Sequence, residues 1–373
     1  MSRRLLLGLA LGAVLIAAVV AVALVRQRQA TPPGEPGPAA ARFEVLFTTP
    51  EEPGAAGRLD QRLVAAIDAT RHTLDVAIYD LELDNVAEAL VRAQRRGVRV
   101  RLVTEADNAG NAAVQRVRAA GVPVVTDNGR AFMHHKFAVF DGEMVLTGSW
   151  NFAPRETFQY NNNVAFIRSP ELAAAFTEEF ETMFVQRRFG ATKPRRPPPA
   201  PVTWDGITVQ ALFAPAMDVP GPVIARIRAA RESIAFLAFA FTHDGIGMAM
   251  VERARAGVRV RGVVESLQSD RPEGELGRLR AAGLTAEQGA GQPAPTCQNG
   301  PGVLTDGNPG LMHHKVIIID GRTVIFGSFN FTRNAAEDND ENLVIVDSPA
   351  IAARFLEEFC RVYNRAAQRA DRR

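Results

Sequence analysis

The sequence predicts an α/β protein built as two similar layered α/β domains related by pseudo-twofold symmetry and preceded by one N-terminal transmembrane helix. Three observations predict it. First, the chain repeats itself. GVRVRLVTE (97–105) matches GVRVRGVVE (257–265), MHHKFAVFDG (133–142) matches MHHKVIIIDG (312–321), TGSWNF (147–152) matches FGSFNF (326–331), and SPELAAAFTEEFETMF (169–184) matches SPAIAARFLEEFCRVY (348–363). A period this long marks a duplicated domain rather than a solenoid. Second, short β-branched runs alternate with helical patterns inside each copy, the signature of a layered α/β architecture. Third, Leu5 to Val25 is an unbroken uncharged apolar run.

That run is 21 residues long, enough to span a hydrocarbon layer roughly 30 Å thick. Arg3 and Arg4 precede it, and Arg26 and Arg28 follow. It is longer than the apolar region of a cleaved leader, and Ala21 and Ala23 make a poor cleavage site, so residues 1–28 read as an uncleaved signal anchor. Basic residues on both sides leave the positive-inside rule silent on orientation. A lone N-terminal anchor leads its domain across the membrane, which makes extracytoplasmic folded domains the expectation. Residues 29–42 are a Pro/Gly-rich spacer.

The first domain covers residues 43–190. DVAIYDL (75–81) reads as a buried strand, NVAEALVRAQRRG (85–97) as a helix closed by Gly97, VRVRLVTE as a strand and NAAVQRVRAAG (111–121) as a second helix. FMHHKFAVF and MVLTGS pair as strands around a turn at Asp141–Gly142. NVAFI (163–167) is a further strand, and residues 170–186 close the domain as an amphipathic helix. A Pro-rich basic linker, 191–203, leads to the second domain, 204–366, and a short tail, 367–373. The repeat offset is 160 for the first pair of segments and 179 for the other three. The second copy therefore holds 19 extra residues, in the Gly/Pro-rich stretch from about 268 to 310.

The formal charge is +2, from 43 basic and 41 acidic residues, a balance that gives no global attraction to nucleic acid and leaves room for local patches. Arg95, Arg96, Arg99 and Arg101, with Arg255, Arg259 and Arg261 in the second copy, read as solvated helix ends and strand edges rather than a groove. Cys297 and Cys360 are too few for a disulfide framework and are expected as two unlinked side chains, with one bridge the alternative in an exported protein. Phe132, Met133, Leu311 and Met312 flank the repeated histidines and are expected to pack in the core, with contact to an apolar ligand at the cleft mouth the alternative.

Four of the six histidines lie in the two MHHK segments. Alternate side chains of a strand share a face, so His134 goes with Lys136 and His313 with Lys315, while His135 and His314 turn into the packing behind. A histidine beside a lysine suits a phosphate, because fixed positive charge adjoins an imidazole able to act as nucleophile, acid or base near neutral pH. Gly148 and Gly327 permit close backbone approach. Asn151 and Asn330 can donate to a phosphoryl oxygen, with Ser149 and Ser328 supporting them as substrate-binding groups. Asp141 and Asp320 complete each motif, where a turn-forming role stands beside a catalytic one. A lysine on the same face would repel a metal ion, so no metal and no cofactor is expected.

The pattern His134-x-Lys136-x4-Asp141 with Gly148-Ser149-x-Asn151, and again His313-x-Lys315-x4-Asp320 with Gly327-Ser328-x-Asn330, resembles the phospholipase D superfamily over roughly residues 43–365. The flavour of MHHKF and TGSWNF is most similar to its bacterial endonucleases and mitochondrial cardiolipin hydrolases. The resemblance implies one composite active site at the interface of the halves, for which a monomer suffices. It implies that one histidine attacks phosphorus and forms a phosphohistidine while the other protonates the leaving oxygen and then activates water. Lysines and asparagines would stabilise the phosphoryl charge.

The same resemblance places a carboxylate after each GSxN strand, on the far nitrogen of the catalytic imidazole. Glu341 stands there in the second half and Asn162 in the first, each 28 positions after its histidine. An amide fixes the tautomer but brings no charge. The expectation is therefore that His313, beside Glu341, is the general acid and His134 the nucleophile, with Asn162 counted among the substrate-binding groups. The anchor favours hydrolysis of a phospholipid to phosphatidic acid and head group at a membrane surface. An exported nuclease is the alternative, and a tethered binding protein with a degenerate site is a further one.

Overall fold

The repeat folds as two mixed sheets. The computed structural model describes residues 42–52, 58–127, 129–269, 273–284, 296–298, 300 and 302–370. The expected anchor, residues 1–28, lies outside them. Among the described residues no helix is long and apolar enough to cross a membrane.

The first copy runs β1 (Phe43–Phe47), α1 (Leu59–Ala69), β2 (Thr73–Ile78), α2 (Asp84–Arg95), β3 (Arg99–Thr104), α3 (Ala112–Ala119), β4 (Val124–Thr126), β5 (Lys136–Phe140), β6 (Met144–Gly148), α4 (Pro154–Phe158), β7 (Asn163–Arg168) and α5 (Pro170–Phe184). Its sheet has the order β1-β7-β6-β5-β2-β3-β4. The pairs β2–β3 and β3–β4 are parallel and the rest antiparallel.

The second copy runs β8 (Val202–Trp204), β9 (Ile207–Ala214), α6 (Pro220–Arg228), β10 (Ser233–Ala238), α7 (Asp244–Arg255), β11 (Arg259–Val264), α8 (Ser266–Ser269), α9 (Glu275–Ala281), β12 (Val303–Thr305), β13 (Lys315–Ile319), β14 (Thr323–Gly327), α10 (Arg333–Glu337), β15 (Glu341–Asp347) and α11 (Pro349–Ala370). Its order, β12-β11-β10-β13-β14-β15-β9-β8, repeats that of the first sheet with β8 added at the edge.

Strand parity divides the packing. Leu74, Val76, Ala138 and Phe140 join α1, α2 and α3 in one apolar core, and Ile234, Phe236, Ile317 and Ile319 do the same with α6, α7 and α9. The opposite parity faces the closing helices. Phe137 meets Phe176 of α5 at 5.1 Å between ring centroids, and Phe176 meets Phe213 of β9 at 4.9 Å, which carries the packing into the other half. Arg101 and Arg261 have this parity too, and so are buried rather than lying at the solvated edge expected of them.

The hairpin turn falls where expected, with Asp141 and Gly142 at φ 52° and 67° and Asp320 and Gly321 at 51° and 60°, as a two-residue turn of this hand requires. A Cβ on Gly148 would lie 2.2 Å from the Asn163 carbonyl oxygen, so only glycine lets β6 close on β7 there. One expectation is overturned: Cys297 and Cys360 are bonded to each other, with Cα atoms 4.9 Å apart. They lie 63 positions apart in sequence, and it is the packing of the second copy's insertion against α11 that brings them together.

Candidate active site

The two motifs meet through a pair of cross-half backbone bridges. Met133 pairs with Asp340, and Met312 with Asn161. His134 N donates to Asp340 O and His313 N to Asn161 O, both at 3.0 Å. Each catalytic-motif histidine is thereby set beside residue 341 or 162 of the other half. Strand β5 starts at Lys136, so the histidines lie between bridge and strand rather than within a strand from Phe132 as expected. The predicted parity survives, with His134 turned to the site and His135 to the helix side. Met133 and Met312 are buried, whereas Phe132 is 48% exposed at the rim.

Lys136 Nζ donates to His134 O and Lys315 Nζ to His313 O, both at 2.8 Å. Each ammonium lies over an aromatic ring, Tyr79 at 5.0 Å and Phe239 at 4.8 Å. The same rings flank His134 at 5.0 Å and His313 at 4.7 Å. Both lysines are fully buried, and burial depresses both, Lys136 to about 8 and Lys315 well below its ordinary value. A dry pair of ammonium groups holds charge poorly by itself and gains by accepting an anion between them.

The carboxylates are arranged differently from expectation. Glu341 does not serve His313; its Oε1 lies 2.8 Å from Nδ1 of His134, in the other half. His313 Nδ1 lies 3.0 Å from Asn162 Oδ1 and 3.1 Å from Oε2 of Glu156. The bridges explain the exchange, because each threads its histidine past the strand of the opposite sheet. Glu156 supplies the charge that Asn162 lacks. It accepts from Asn162 Nδ2 at 2.6 Å and from Asn151 Nδ2 at 2.7 Å. By the repeat offset of 179, Glu156 corresponds to Ala335 and Asn162 to Glu341. Each half thus keeps one carboxylate, at different positions.

The two carboxyl groups are not equivalent electrostatically. Burial pushes Glu341 up to about 8 against the pull of Lys136 and Ser328. Glu156 is held down at about 2, where His313, Asn151 and Lys315 overcome its burial. Burial lowers both imidazoles, His134 well below its ordinary range with Lys136 and Lys315 adding to the effect. His313 falls to about 4, with Glu156 working against its burial.

Three groups expected at the substrate have other work. Ser149 Oγ donates to Asn162 Oδ1 at 2.8 Å, and Ser328 Oγ to Glu341 Oε2 at 2.5 Å. Both serines are fully buried and hold the imidazole partners rather than a ligand. Asn162, expected at the substrate, is itself such a partner. Asn151 stays at the site through Glu156, and Asn151 and Asn330 each have a buried side-chain oxygen with no partner among the described residues.

Asp141 and Asp320 take the turn-forming role. Asp141 accepts from the backbone N–H groups of Arg71, His72 and Thr73 at 2.7–2.9 Å, and Asp320 from those of Arg231, Glu232 and Ser233 at 2.8–2.9 Å. They sit one strand length, about 16 Å, from the lysines, and tie each hairpin turn to the start of β2 or β10.

His135 and His314 reach the closing helices. His135 Nε2 lies 3.1 Å from Glu179 Oε1, and His314 Nε2 lies 2.8 Å from Glu358 Oε1. Lys193 of the Pro-rich linker is buried and pairs with Glu179 and, at 2.7 Å, with Asp340. Sequence reasoning missed Glu156, Glu179, Glu358, Tyr79 and Phe239. The matched EEF triplets of the repeat point to Glu179 and Glu358, whereas Glu156 faces Ala335 in the alignment and carries no such signal.

Comparison with known proteins agrees with this geometry. The family described as "Cardiolipin synthase, PLD-like domain" matches residues 63–184 and 223–363, more than half of the chain. The mitochondrial cardiolipin hydrolase of Chlamydomonas reinhardtii is 30% identical over 125 residues, 33% of this chain and 56% of that protein. The phospholipase D of Rickettsia prowazekii (strain Madrid E) is 28% identical over 151 residues, 40% of this chain and 65% of that protein. The chain therefore spans less than two thirds of either relative. The structure of phosphatidylserine synthase from Haemophilus influenzae Rd KW20 superposes with a TM-score of 0.62 at 12% identity, covering 87% of each chain, and so shares the fold. Two PLD-like units, each supplying one histidine and one lysine to a common site, place this chain in the PLD-like domain family of the phospholipase D superfamily.

Proposed function

We propose that this phospholipase D superfamily phosphodiesterase hydrolyses a phospholipid to phosphatidic acid and its head-group alcohol through a phosphohistidine. The observation that carries the reading is the meeting of one imidazole–lysine pair from each half in one dry site. His134 is the nucleophile. Its Nε2 bonds to phosphorus as the bond from phosphorus to the head-group oxygen breaks, and His313 gives that oxygen its proton. His313 then takes a proton from water, whose oxygen attacks phosphorus and breaks the phosphorus–nitrogen bond. This reading keeps the roles expected from the sequence but argues them from Glu156. Burial lowers both imidazoles in the free site, but the ionised Glu156 works against it at His313, and the arriving phosphate anion adds to that pull, whereas Glu341, neutral near pH 7, gives His134 no such help. Lys136, Lys315, Asn151 and Asn330 stabilise the phosphoryl oxygens.

The rim favours lipid over nucleic acid. Asp80, raised to about 6 by burial with Glu82 and Glu156 adding to it, is close enough to act on Lys136. Asp107, Asp338 and Glu105, with Arg130 and the exposed Phe132, line a cavity of about 270 Å³ at the cleft. The exposed Asp107 and Asp338 repel a polyanionic strand, and an exposed phenyl ring suits an acyl surface. The apolar segment 5–25 would hold the enzyme at its substrate, with the catalytic domains outside the cytoplasm. The test is the full-length protein in mixed micelles with EDTA, offered phospholipids together with labelled single-stranded DNA and RNA, against His134→Ala. Phosphatidic acid formed by the wild type alone supports the reading. Shortened oligonucleotides with intact lipid would refute it and assign a nuclease.

A further inference from the structure

Arg261 is a buried guanidinium that has lost both of its counter-ions. Its equivalent in the first half, Arg101, is a cross-strand neighbour of Asp75. Arg101 donates to both Asp75 oxygens at 2.7 and 2.8 Å and to Glu181 Oε1 at 2.7 Å. In the second half the cross-strand neighbour of Arg261 is Ala235. The position of Glu181 is taken by Cys360, which is spent in the disulfide. Arg261 remains 9% exposed, and its Nε and Nη1 have no hydrogen-bond partner among the described residues. Among the described residues the charged and titratable groups acting on it are Arg259, which repels it, and Tyr363, whose hydroxyl is un-ionised near neutral pH.

A buried lysine can shed its proton, but a guanidinium keeps its charge at any ordinary pH. A buried charge without a partner is strongly destabilising, and something must match it. We propose that Arg261 is the seat of a small oxyanion site, of the phosphate or sulfate class, beneath the C-terminal helix α11 and separate from the catalytic cleft. A planar fork of N–H donors fits a tetrahedral oxyanion better than a halide. The site belongs to the second half alone, because the first half fills the same place with its own carboxylates.

The test is thermal unfolding of the full chain in detergent, in a low-anion buffer at constant ionic strength, titrated with inorganic phosphate, sulfate, chloride or glycerol 3-phosphate. Lys136→Met/Lys315→Met serves as the background, which removes anion binding at the catalytic lysines. The melting temperature should rise by about 5 °C at a hundredfold excess over Kd, for the oxyanions and not for chloride. A response to glycerol 3-phosphate as strong as that to free phosphate would identify an esterified ligand, and a weaker one a free ion. Arg261→Met should abolish the rise. Ala235→Asp, which restores the first half's internal partner, should abolish it too and raise the melting temperature in anion-free buffer. No oxyanion response in the lysine-less background, or a response unchanged by both Arg261→Met and Ala235→Asp, would overturn the proposal.

Discussion

The exchange of carboxylates between the halves can be reversed by mutation. In Glu156→Ala, His313 loses an ionised partner 3.1 Å from its Nδ1. Coulomb attraction at that range amounts to about 5 kcal/mol at an effective dielectric of 20. Asn162 Oδ1, at 3.0 Å, still orients the ring, which leaves a net loss of roughly 3 kcal/mol, or about 10²-fold in kcat. The second half shows how to repair this, since Ala335 and Glu341 occupy the equivalent positions there. Glu156→Ala/Asn162→Glu should therefore regain most of the activity. Ser149 Oγ, which donates to Asn162 at 2.8 Å, would donate to the new carboxylate as Ser328 does to Glu341. The assay is single-turnover release of head group, with melting temperatures taken in parallel. A double variant as inactive as the single one, with both folded, would refute the claim that Glu156 substitutes for a missing carboxylate at 162. So would a fully active Glu156→Ala.

Other outcomes follow from the same geometry. Asp141→Asn and Asp320→Asn should each cost about 1–2 kcal/mol of stability and leave turnover per folded molecule unchanged, measured by urea unfolding and specific activity. Backbone N–H groups hold both carboxyls below their ordinary value. Their contribution is therefore present above the unfolded pKa near 4 and lost as pH falls through the folded one. Asparagine should flatten that acid limb. Reduction of Cys297–Cys360 reopens a loop of 63 positions and should destabilise the fold by about 4 kcal/mol, read as a lower melting temperature in dithiothreitol. Binding of tungstate at pH 8–9 should take up protons, because Lys136 at about 8 is only partly charged in the free site and an anion raises it. Affinity should fall as pH rises through 8. Calorimetry in two buffers of different ionisation enthalpy checks this, and the absence of proton exchange would contradict it.

Much of this architecture was legible because the duplication displays it twice. The two MHHK segments, the hairpin turns and the glycines at 148 and 327 each recur, and strand parity separates His134 from His135 without coordinates. What was not legible depends on which half a residue faces. Spacing of 28 positions links His313 to Glu341 along the chain, but the bridges at Met133 and Met312 hand each histidine to the opposite half. Asp141 and Asp320 recur as faithfully as the histidines, for a different reason, since three backbone N–H groups converge on each. Recurrence marks a physical demand and does not say whether the demand is catalytic.

The differences between the copies are therefore as informative as the matches. At the catalytic cleft, the carboxylate absent from 162 reappears at 156, and the second half, with Glu341, does without one at 335. At the face of β3 and β11 the opposite has happened. Arg101 keeps Asp75 and Glu181, while Arg261 has Ala235 and a half-cystine. Both cases obey the same constraint, that a buried charge must be matched. In the first the match was rebuilt from the chain's own residues. In the second the guanidinium has no partner among the described residues, and the oxyanion proposed above would supply one.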